Sequence, residues 1–390
     1  MEQFQREFIN LLKAGFSGKA EKISPDFDFE KATQLAKAHN IAPILYYGAT
    51  NCKIPQEEQF MQALYQLTLK SIMVSMRQTH ELERLQKAFE AENIEYMLLK
   101  GTILKAIYPK PEMRTMGDAD VLIKLEQYPK IASVMEALQY TFKGETDHEM
   151  VWTKPSLYLE LHKSIMTTYN KDFYGYFGTG WKLAKKLPGS SGYQMSTEDF
   201  YLFMFVHFTK HYRISGIGIK HLLDMWVYAN AHPELDWSYV EAELKKLQLA
   251  QFHGNIQKTI AVWFGEEAST DVTDLITNVI FSSGQYGSAE MAIINRSLQK
   301  GKKAVWRIKA SQFFDGVFLP YKAMKVKYPV LNKAPILLPV MWVVRVFGIL
   351  LRPKGRVRMF VDRMEQIDDD KLRRNEKVLK FVGLDFHADE

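Results

Sequence analysis

The chain has 390 residues and a formal net charge of +6, with 47% hydrophobic and 25% charged residues. These proportions are typical of a globular protein and exclude a disordered chain or one embedded in a membrane, and the length predicts two or three packed units. Cys52 is the only cysteine, which excludes an internal disulfide and a multi-cysteine zinc site and agrees with a reducing compartment. The first residues, MEQFQREFINLLKAGF, do not resemble a secretory signal, so we expect a cytoplasmic protein.

Helices are predicted before residue 94. Stretches such as EEQFMQALYQLTLKSIMVSMRQTHELERLQKAFEAEN repeat apolar residues at intervals of three and four, with charged residues between them. We therefore predict an N-terminal helical region over residues 1–93.

The pattern changes at residue 94. IEYMLLK is a short β-compatible stretch, a Gly turn and the helix-like TILKAIY follow it, and GDADVLI indicates a second strand. EQYPKIASVMEALQ predicts a helix, and MVWTKPSLYLELHKSI predicts two strands around a Pro-Ser turn. Strands mixed with helices in this order indicate an α+β core over residues 94–187.

Helices are predicted again over residues 188–300, in a region that completes a cleft. STEDFYLFMFVHFTKHY begins like a capping box, with Ser196 at the cap and Asp199 three residues later, and IKHLLDMWVYANAH follows. His207 and His211 lie one turn apart and could face a metal together with Asp224 from the next helix. The alternative is that both histidines are satisfied within a helix pair.

The last region, residues 301–390, is basic and ends in an acidic tail. Between Gly301 and Phe360 there are thirteen Lys or Arg and one acidic residue. Prolines and a central arginine interrupt PILLPVMWVVRVFGILLRPKGRVR, so this segment predicts either a buried packing helix or an interfacial helix in peripheral contact with a membrane, not a spanning helix. The region has no recognised nucleic-acid motif, so nucleic-acid partners are not indicated.

Two aspartates stand at the start of the second core strand. Because side chains on a strand alternate, Asp118 and Asp120 are predicted to share one face while Ala119 and Val121 take the other. Two neighbouring carboxylates repel each other unless a cation lies between them, so the pair is a candidate seat for Mg²⁺. The alternative is a turn, since MGDAD is also rich in turn formers.

A third carboxylate is predicted on another strand. Alternate leucines in LYLELH predict that Glu160 and His162 occupy the face opposite to the core. Three carboxylates on adjacent strands can hold two divalent ions for in-line phosphoryl or nucleotidyl transfer. Ordinary solvent-facing roles stay open, and the nearby alternatives for the third ligand are Glu145, Asp147 and Glu149.

The turn LLKGT precedes the aspartates. Gly101 lets the backbone approach a phosphate closely, Thr102 offers a hydroxyl and N–H groups at a helix start, and Lys100 brings a positive charge. Arg114 could clamp phosphate oxygens with two parallel hydrogen bonds, or form a surface ion pair.

Taken together, LLKGT, the arginine and aspartates of EMRTMGDADVLI, and LELH resemble the uncharacterised nucleotidyltransferase family of the DNA polymerase β superfamily. The resemblance covers most of residues 30–230 and implies a minimal nucleotidyltransferase fold, a mixed sheet with helices, that uses Mg²⁺ (or Mn²⁺) and a nucleoside triphosphate.

By position, the resemblance matches the turn at Gly101 and Thr102 to the superfamily's glycine-serine turn, the two aspartates to its metal-binding pair, and Glu160 to its third carboxylate. It implies that the acceptor is a small molecule, a saccharide precursor, RNA or protein. The candidates for the acceptor side of the cleft are His162, Lys210, His211, Lys220 and Asp224.

Two other functions stay open. An Asp-x-Asp pair also binds the metal of a nucleotide sugar in glycosyltransferases, which release a nucleoside diphosphate. A catalytically inert protein on the same scaffold would bind nucleotide as a regulator and form no product.

Overall fold

The computed structural model describes residues 1–56, 58–168, 171–284, 328–350 and 369–384, together with isolated positions between 287 and 325. The chain divides into two compact units. The first comprises residues 1–212 and 216–287, and the second comprises residues 213–215 and 288–390.

The first unit begins with four helices, as the spacing of apolar residues predicts. They are α1 (Gln3–Ser17), α2 (Phe29–Ala38), α3 (Ala42–Asn51) and α4 (Gln59–Ala91). Helices α1 and α3 approach so closely that a Cβ atom on Gly48 would lie 1.9 Å from the carbonyl oxygen of Leu11. Only glycine fits at this crossing.

A mixed sheet of seven strands follows, which confirms the α+β class. The strands are β1 (Tyr96–Leu98), β2 (Ala119–Ile123), β3 (Thr141–Glu145), β4 (Glu149–Lys154), β5 (Leu157–His162), β6 (Lys185–Lys186) and β7 (Gly192–Gln194). Their order is β3-β4-β5-β2-β1-β7-β6. The pairs β2/β5 and β1/β7 are parallel and the others antiparallel.

Three short helices belong to this part of the chain: α5 (Gly101–Leu104), α6 (Tyr128–Ala137) and α7 (Lys171–Phe177). The sequence patterns did not predict β3, β6 or β7. The residues of β3 are mostly exposed and lack an apolar alternation, and β7 has three residues and lies beyond residue 187, where we predicted the core to end.

One face of the sheet packs on α4 and α6 to form the core. The alternate leucines of β5 and the side chains of Ala119 and Val121 lie in this core, as predicted. Because neighbouring side chains on a strand point to opposite faces, Asp120 and Glu160 lie on the other face of the sheet.

Five helices follow the sheet in the chain: α8 (Thr197–Ser215), α9 (Ile219–Ala231), α10 (Trp237–Lys246), α11 (Ala250–Phe264) and α12 (Asp271–Ser283). Ser196 caps α8, and its hydroxyl accepts a hydrogen bond from the Asp199 N–H at 3.1 Å. The reciprocal half of the predicted capping box is missing, because the Asp199 carboxylate accepts its hydrogen bond from the Tyr239 hydroxyl at 2.9 Å.

The described part of the second unit contains the helices α13 (Leu338–Leu350) and α14 (Asp369–Phe381). Four apolar side chains of α13 are exposed: Val340, Val343, Val344 and Phe347. Across the described residues, every helix is too short or too polar to cross a membrane. Most of the predicted basic stretch after residue 300 lies outside the described residues.

Candidate active site

A cavity of about 290 Å³ lies on the sheet face opposite to the core, and residues of α8 and α9 form its other wall. It brings together nearly all the side chains that the sequence predicted for the site. Those that line it are Lys100, Gly101, Arg114, Asp118, Asp120, Glu160, His162, Lys210, His211, Lys220 and Asp224.

The strand register places the carboxylates together. Asp120 lies directly opposite Glu160 in the parallel pair of β2 and β5, so the two side chains point to the same face. Asp118 comes one residue before β2 begins and also lines the cavity. The third predicted carboxylate is therefore a neighbour of the first two, although 40 residues separate Asp120 and Glu160 in the chain.

Asp120 is buried and held by two nitrogen atoms. Its Oδ1 atom accepts hydrogen bonds from Lys100 Nζ and His162 Nε2, both at 2.7 Å. Burial alone would raise the pKa of Asp120, but the Lys100 charge and the His162 hydrogen bond outweigh it and hold that pKa well below its usual range. Asp120 is therefore ionised at neutral pH.

Glu160 has the opposite tendency. Burial, together with the negative charges of Asp120 and Asp118, raises the pKa of Glu160 to about 7. A cation between the three carboxylates would remove this repulsion. All three groups supply the oxygen ligands that Mg²⁺ prefers, so the residues present fit a magnesium site.

Cations line the remaining walls of the cavity. Lys220 on α9 is buried, and burial with the nearby Arg114 charge lowers its pKa to about 7. Burial and the Lys100 charge also lower the pKa of Lys210 on α8. An anionic ligand in the cavity would favour the charged form of both lysines, as a polyphosphate does.

Arg114 forms an ion pair that is buried, whereas the predicted alternative was an ion pair at the surface. Its Nε atom lies 2.6 Å from Asp224 Oδ1, and the Tyr108 hydroxyl donates to the same oxygen at 2.7 Å. Its Nη1 atom donates to the Thr115 carbonyl at 2.7 Å. Arg114 therefore reaches the cavity as a fixed cation, and the Asp224 carboxylate is engaged by Arg114 and Tyr108.

The turn after β1 is only partly as predicted. A Cβ atom on Gly101 would lie 3.2 Å from Met116 Sδ and 3.6 Å from Arg114 Nη1, so a side chain here would crowd the cavity wall. The structure does not bring Thr102 into the cavity. Its N–H and its hydroxyl both donate to the Leu99 carbonyl, at 3.2 and 2.5 Å, at the start of the single-turn helix α5.

Three histidines of α8 and α9 face one another beside the lysines. His211 Nε2 lies 3.1 Å from His207 Nε2, and the ring centres of both lie within 6.5 Å of the His221 ring centre. Burial lowers the pKa of all three, so they are neutral imidazoles at pH 7. The sequence analysis missed His221, although its position three residues before Asp224 places both on one helix face.

Among the described residues, two sets of three side chains bring potential metal-ligand atoms within 4.8 Å of one another. They are Asp120 with Glu160 and His162, and His148 with Glu149 and His162. The predicted grouping of His207 and His211 with Asp224 is not among them.

Of the three predicted alternatives for the third carboxylate, one lines the cavity and two do not. Glu149 lines the cavity beside His148, a residue that the sequence analysis missed. Glu145 is exposed and pairs with Lys163 at 3.1 Å. Asp147 contacts His148 and does not line the cavity.

Comparison with known proteins relates most of the chain to a protein family. The model of a family described as an uncharacterised nucleotidyltransferase matches residues 25–265. This range includes the sheet and all the residues that line the cavity. No curated protein and no solved structure matches the chain.

Proposed function

This chain belongs to the uncharacterised nucleotidyltransferase family, and on that basis we propose that it is a Mg²⁺-dependent nucleotidyltransferase. It would transfer a nucleoside monophosphate from a nucleoside triphosphate to a hydroxyl or phosphate of an acceptor and release pyrophosphate.

One observation carries the proposal. Asp120 lies opposite Glu160 in the β2/β5 register, with Asp118 beside them, and the facing helices present Lys210 and Lys220 to the same cavity. Carboxylates on one wall suit divalent ions, and ammonium groups on the other suit the oxygens of a triphosphate.

The carboxylates have distinct proposed roles. Asp118, Asp120 and Glu160 would hold Mg²⁺ or Mn²⁺, which when bound neutralises charge on the reacting phosphate. Asp120 is ionised, and hydrogen bonds from Lys100 and His162 hold its Oδ1 atom in place. Glu160, with a pKa of about 7, is suited either to bind an ion beside the acceptor or to accept the proton of its hydroxyl.

The cations would bind the phosphates. Lys100 and the two helix lysines supply ammonium groups, and Arg114 supplies a guanidinium whose position Asp224 fixes. Such fixed and convergent positive charge stabilises the leaving pyrophosphate. Gly101 contributes by leaving room at the wall of the cavity.

The acceptor is proposed only by class: a small molecule, a saccharide precursor, RNA or protein. His207, His211 and His221 form one side of the cavity, and this side would face the acceptor. Their imidazoles are neutral, so they would not attract the phosphates of the donor nucleotide as the lysines do.

The glycosyltransferase alternative receives less support. That class needs an α/β nucleotide-binding unit before the acidic pair, whereas the described residues before β1 form the four helices α1 to α4. The inert regulator would share every contact described above and differ only in forming no product.

Pyrophosphate release tests the proposal. The full chain, incubated with Mg²⁺, each of the four nucleoside triphosphates and a cell extract as the source of acceptor, should release pyrophosphate. The double variant Asp118→Ala with Asp120→Ala should lose this release, while Glu241→Ala, on an exposed part of α10, should retain it. Release that is unchanged in the double variant would refute the proposed site.

A further inference from the structure

A second set of metal-ligand side chains borders the carboxylates just described. His148, Glu149 and His162 bring ligand atoms within 4.8 Å of one another, and all three line the cavity. Glu149 begins β4 and lies directly opposite His162 in the antiparallel pair with β5. Their shared strand face places the Glu149 carboxylate beside the His162 ring.

The Nδ1 atom of His162 is available to bind a ligand. The residue is 4% exposed, and its Nε2 atom lies 2.7 Å from Asp120 Oδ1. Since Asp120 is a carboxylate, Nε2 carries the hydrogen, and the neutral tautomer then leaves a lone pair on Nδ1. The Nδ1 atom is buried and has no hydrogen-bond partner among the described residues, which is costly unless a ligand uses it.

His148 lies between two carboxylates. Its Nδ1 atom lies 3.0 Å from Asp147 Oδ1, and its Nε2 atom lies 3.1 Å from Glu149 Oε2. A cation between Nε2 and Glu149 Oε2 would replace the proton that these two atoms share, and Asp147 would keep the hydrogen bond to Nδ1. Histidines that bind metals usually donate their other ring N–H to a carboxylate in this way, which fixes the ring and the tautomer.

We propose that His148, Glu149 and His162 bind a divalent transition-metal ion of the Zn²⁺ class, separate from the magnesium held by the carboxylates. Two imidazoles and one carboxylate are a ligand set typical of zinc, whereas magnesium prefers oxygen ligands alone. Asp147 and Asp120 orient the two rings. Because the three ligands line the cavity, an open coordination position would face the bound substrates.

Cobalt binding tests this site without reference to turnover. The full chain, stripped with a chelator and then held in excess Mg²⁺, is titrated with Co²⁺, whose visible absorption reports nitrogen ligation. We expect one Co²⁺ per chain, displaced by Zn²⁺. His148→Ala and the near-isosteric Glu149→Gln should each lose this absorption, and Asp147→Asn should weaken the Co²⁺ Kd about 10- to 100-fold.

A matched control is His232→Ala. His232 forms a histidine-carboxylate contact of the same length, 3.0 Å to Glu234, but does not line the cavity. It should leave the cobalt absorption unchanged. Thermal unfolding of each variant establishes that it is folded, and Glu149→Gln keeps the shape of the side chain should His148→Ala fail to fold.

Failure of this inference differs from failure of the proposed nucleotidyl transfer. Asp118→Ala should lose pyrophosphate release but keep the cobalt absorption, because Asp118 does not belong to the His148 set. A wild-type chain that gives no Co²⁺ absorption in excess Mg²⁺, or folded His148→Ala and Glu149→Gln variants that keep it, would overturn the second metal site whether or not pyrophosphate is released.

Discussion

Asp120 and Glu160 lie side by side on parallel strands, yet their surroundings shift their pKa values in opposite directions. Lys100 and His162 donate hydrogen bonds to Asp120, which lowers its pKa. Burial and the negative charges of Asp120 and Asp118 raise the pKa of Glu160. One carboxylate is thus ready as a ligand at any physiological pH. Glu160 becomes a ligand when a bound cation compensates the negative charge of its carboxylate.

This difference predicts how stability depends on pH when divalent ions are removed. The pKa of Glu160 is higher in the folded chain, about 7, than its ordinary value of 4.5, so the folded state holds this proton more tightly. Stability should therefore fall as pH rises from about 4.5 to about 7, by at most about 3 kcal/mol. Urea unfolding of the wild type and Glu160→Gln in chelator, at about pH 5 and about pH 8, measures the difference.

The Glu160→Gln variant should lack this part of the decline, since glutamine does not titrate. Adding Mg²⁺ should reduce the decline in the wild type, because an ion that binds the folded state stabilises it. Identical pH dependence of the two proteins in chelator would contradict the placement of Glu160 among negative charges.

The buried ion pair of Arg114 and Asp224 should contribute to the stability of the folded chain. Asp224→Ala leaves the Arg114 charge buried without its partner, so the free energy of unfolding should fall by about 3–5 kcal/mol. Asp224→Asn should lose less, because the amide oxygen still accepts from the Tyr108 hydroxyl. Urea unfolding is the measurement, and exposed Glu241→Ala should change stability by no more than about 0.5 kcal/mol.

Helices α8 and α9 bring the positive charges of Lys210 and Lys220 over the sheet. Lys210→Met and Lys220→Met should each weaken nucleotide binding, since each removes a charged hydrogen-bond donor worth about 1.5–3 kcal/mol, or roughly tenfold or more in Kd. Isothermal calorimetry with a nucleoside triphosphate and Mg²⁺ measures this directly. Lys245→Met, at an exposed position of α10, is the control, and equal affinities of all four proteins would contradict the phosphate-binding wall.

The alternation of side chains along strands made much of this site predictable. The leucines of β5 identified its core face, and the same rule placed Asp120 and Glu160 on the opposite face. The periodicity of three and four identified the helices before and after the sheet. These are local patterns, so they can be read from a single sequence.

Long-range partners could not be predicted in the same way. The ion pair of Arg114 and Asp224 joins residues 110 apart, and no local pattern specifies it. Thr102 does not reach the cavity because its hydroxyl donates to the Leu99 carbonyl, a contact that periodicity does not predict. Strand β7 was not predicted, because three residues are too few to show alternation.

Two alternatives were predicted for the apolar segment of the basic C-terminal region: a buried packing helix, or an interfacial helix in peripheral contact with a membrane. The described helix α13 exposes Val343 and Phe347 among its apolar residues, and the sequence around it is rich in lysine and arginine. Apolar side chains flanked by basic residues are typical of helices that lie at anionic interfaces.

Vesicle sedimentation tests this contact. The full chain should sediment with anionic vesicles, less so in high salt, and not with zwitterionic ones. Val343→Asp with Phe347→Asp should reduce sedimentation, while Met76→Asp, at an exposed apolar position of α4, should not. Equal recovery of the two variants with anionic vesicles would count against the membrane contact.

The proposed reaction in the carboxylate cavity transfers a nucleoside monophosphate. Two labelled substrates test it most directly: a nucleoside triphosphate labelled at the α-phosphate and one labelled at the γ-phosphate, each incubated with Mg²⁺, cell extract and the full chain. In this reaction the α-label should enter an acceptor and the γ-label should leave as pyrophosphate, and Asp118→Ala with Asp120→Ala should lose both. Transfer of the γ-label to an acceptor, or α-label incorporation that persists in that variant, would contradict it.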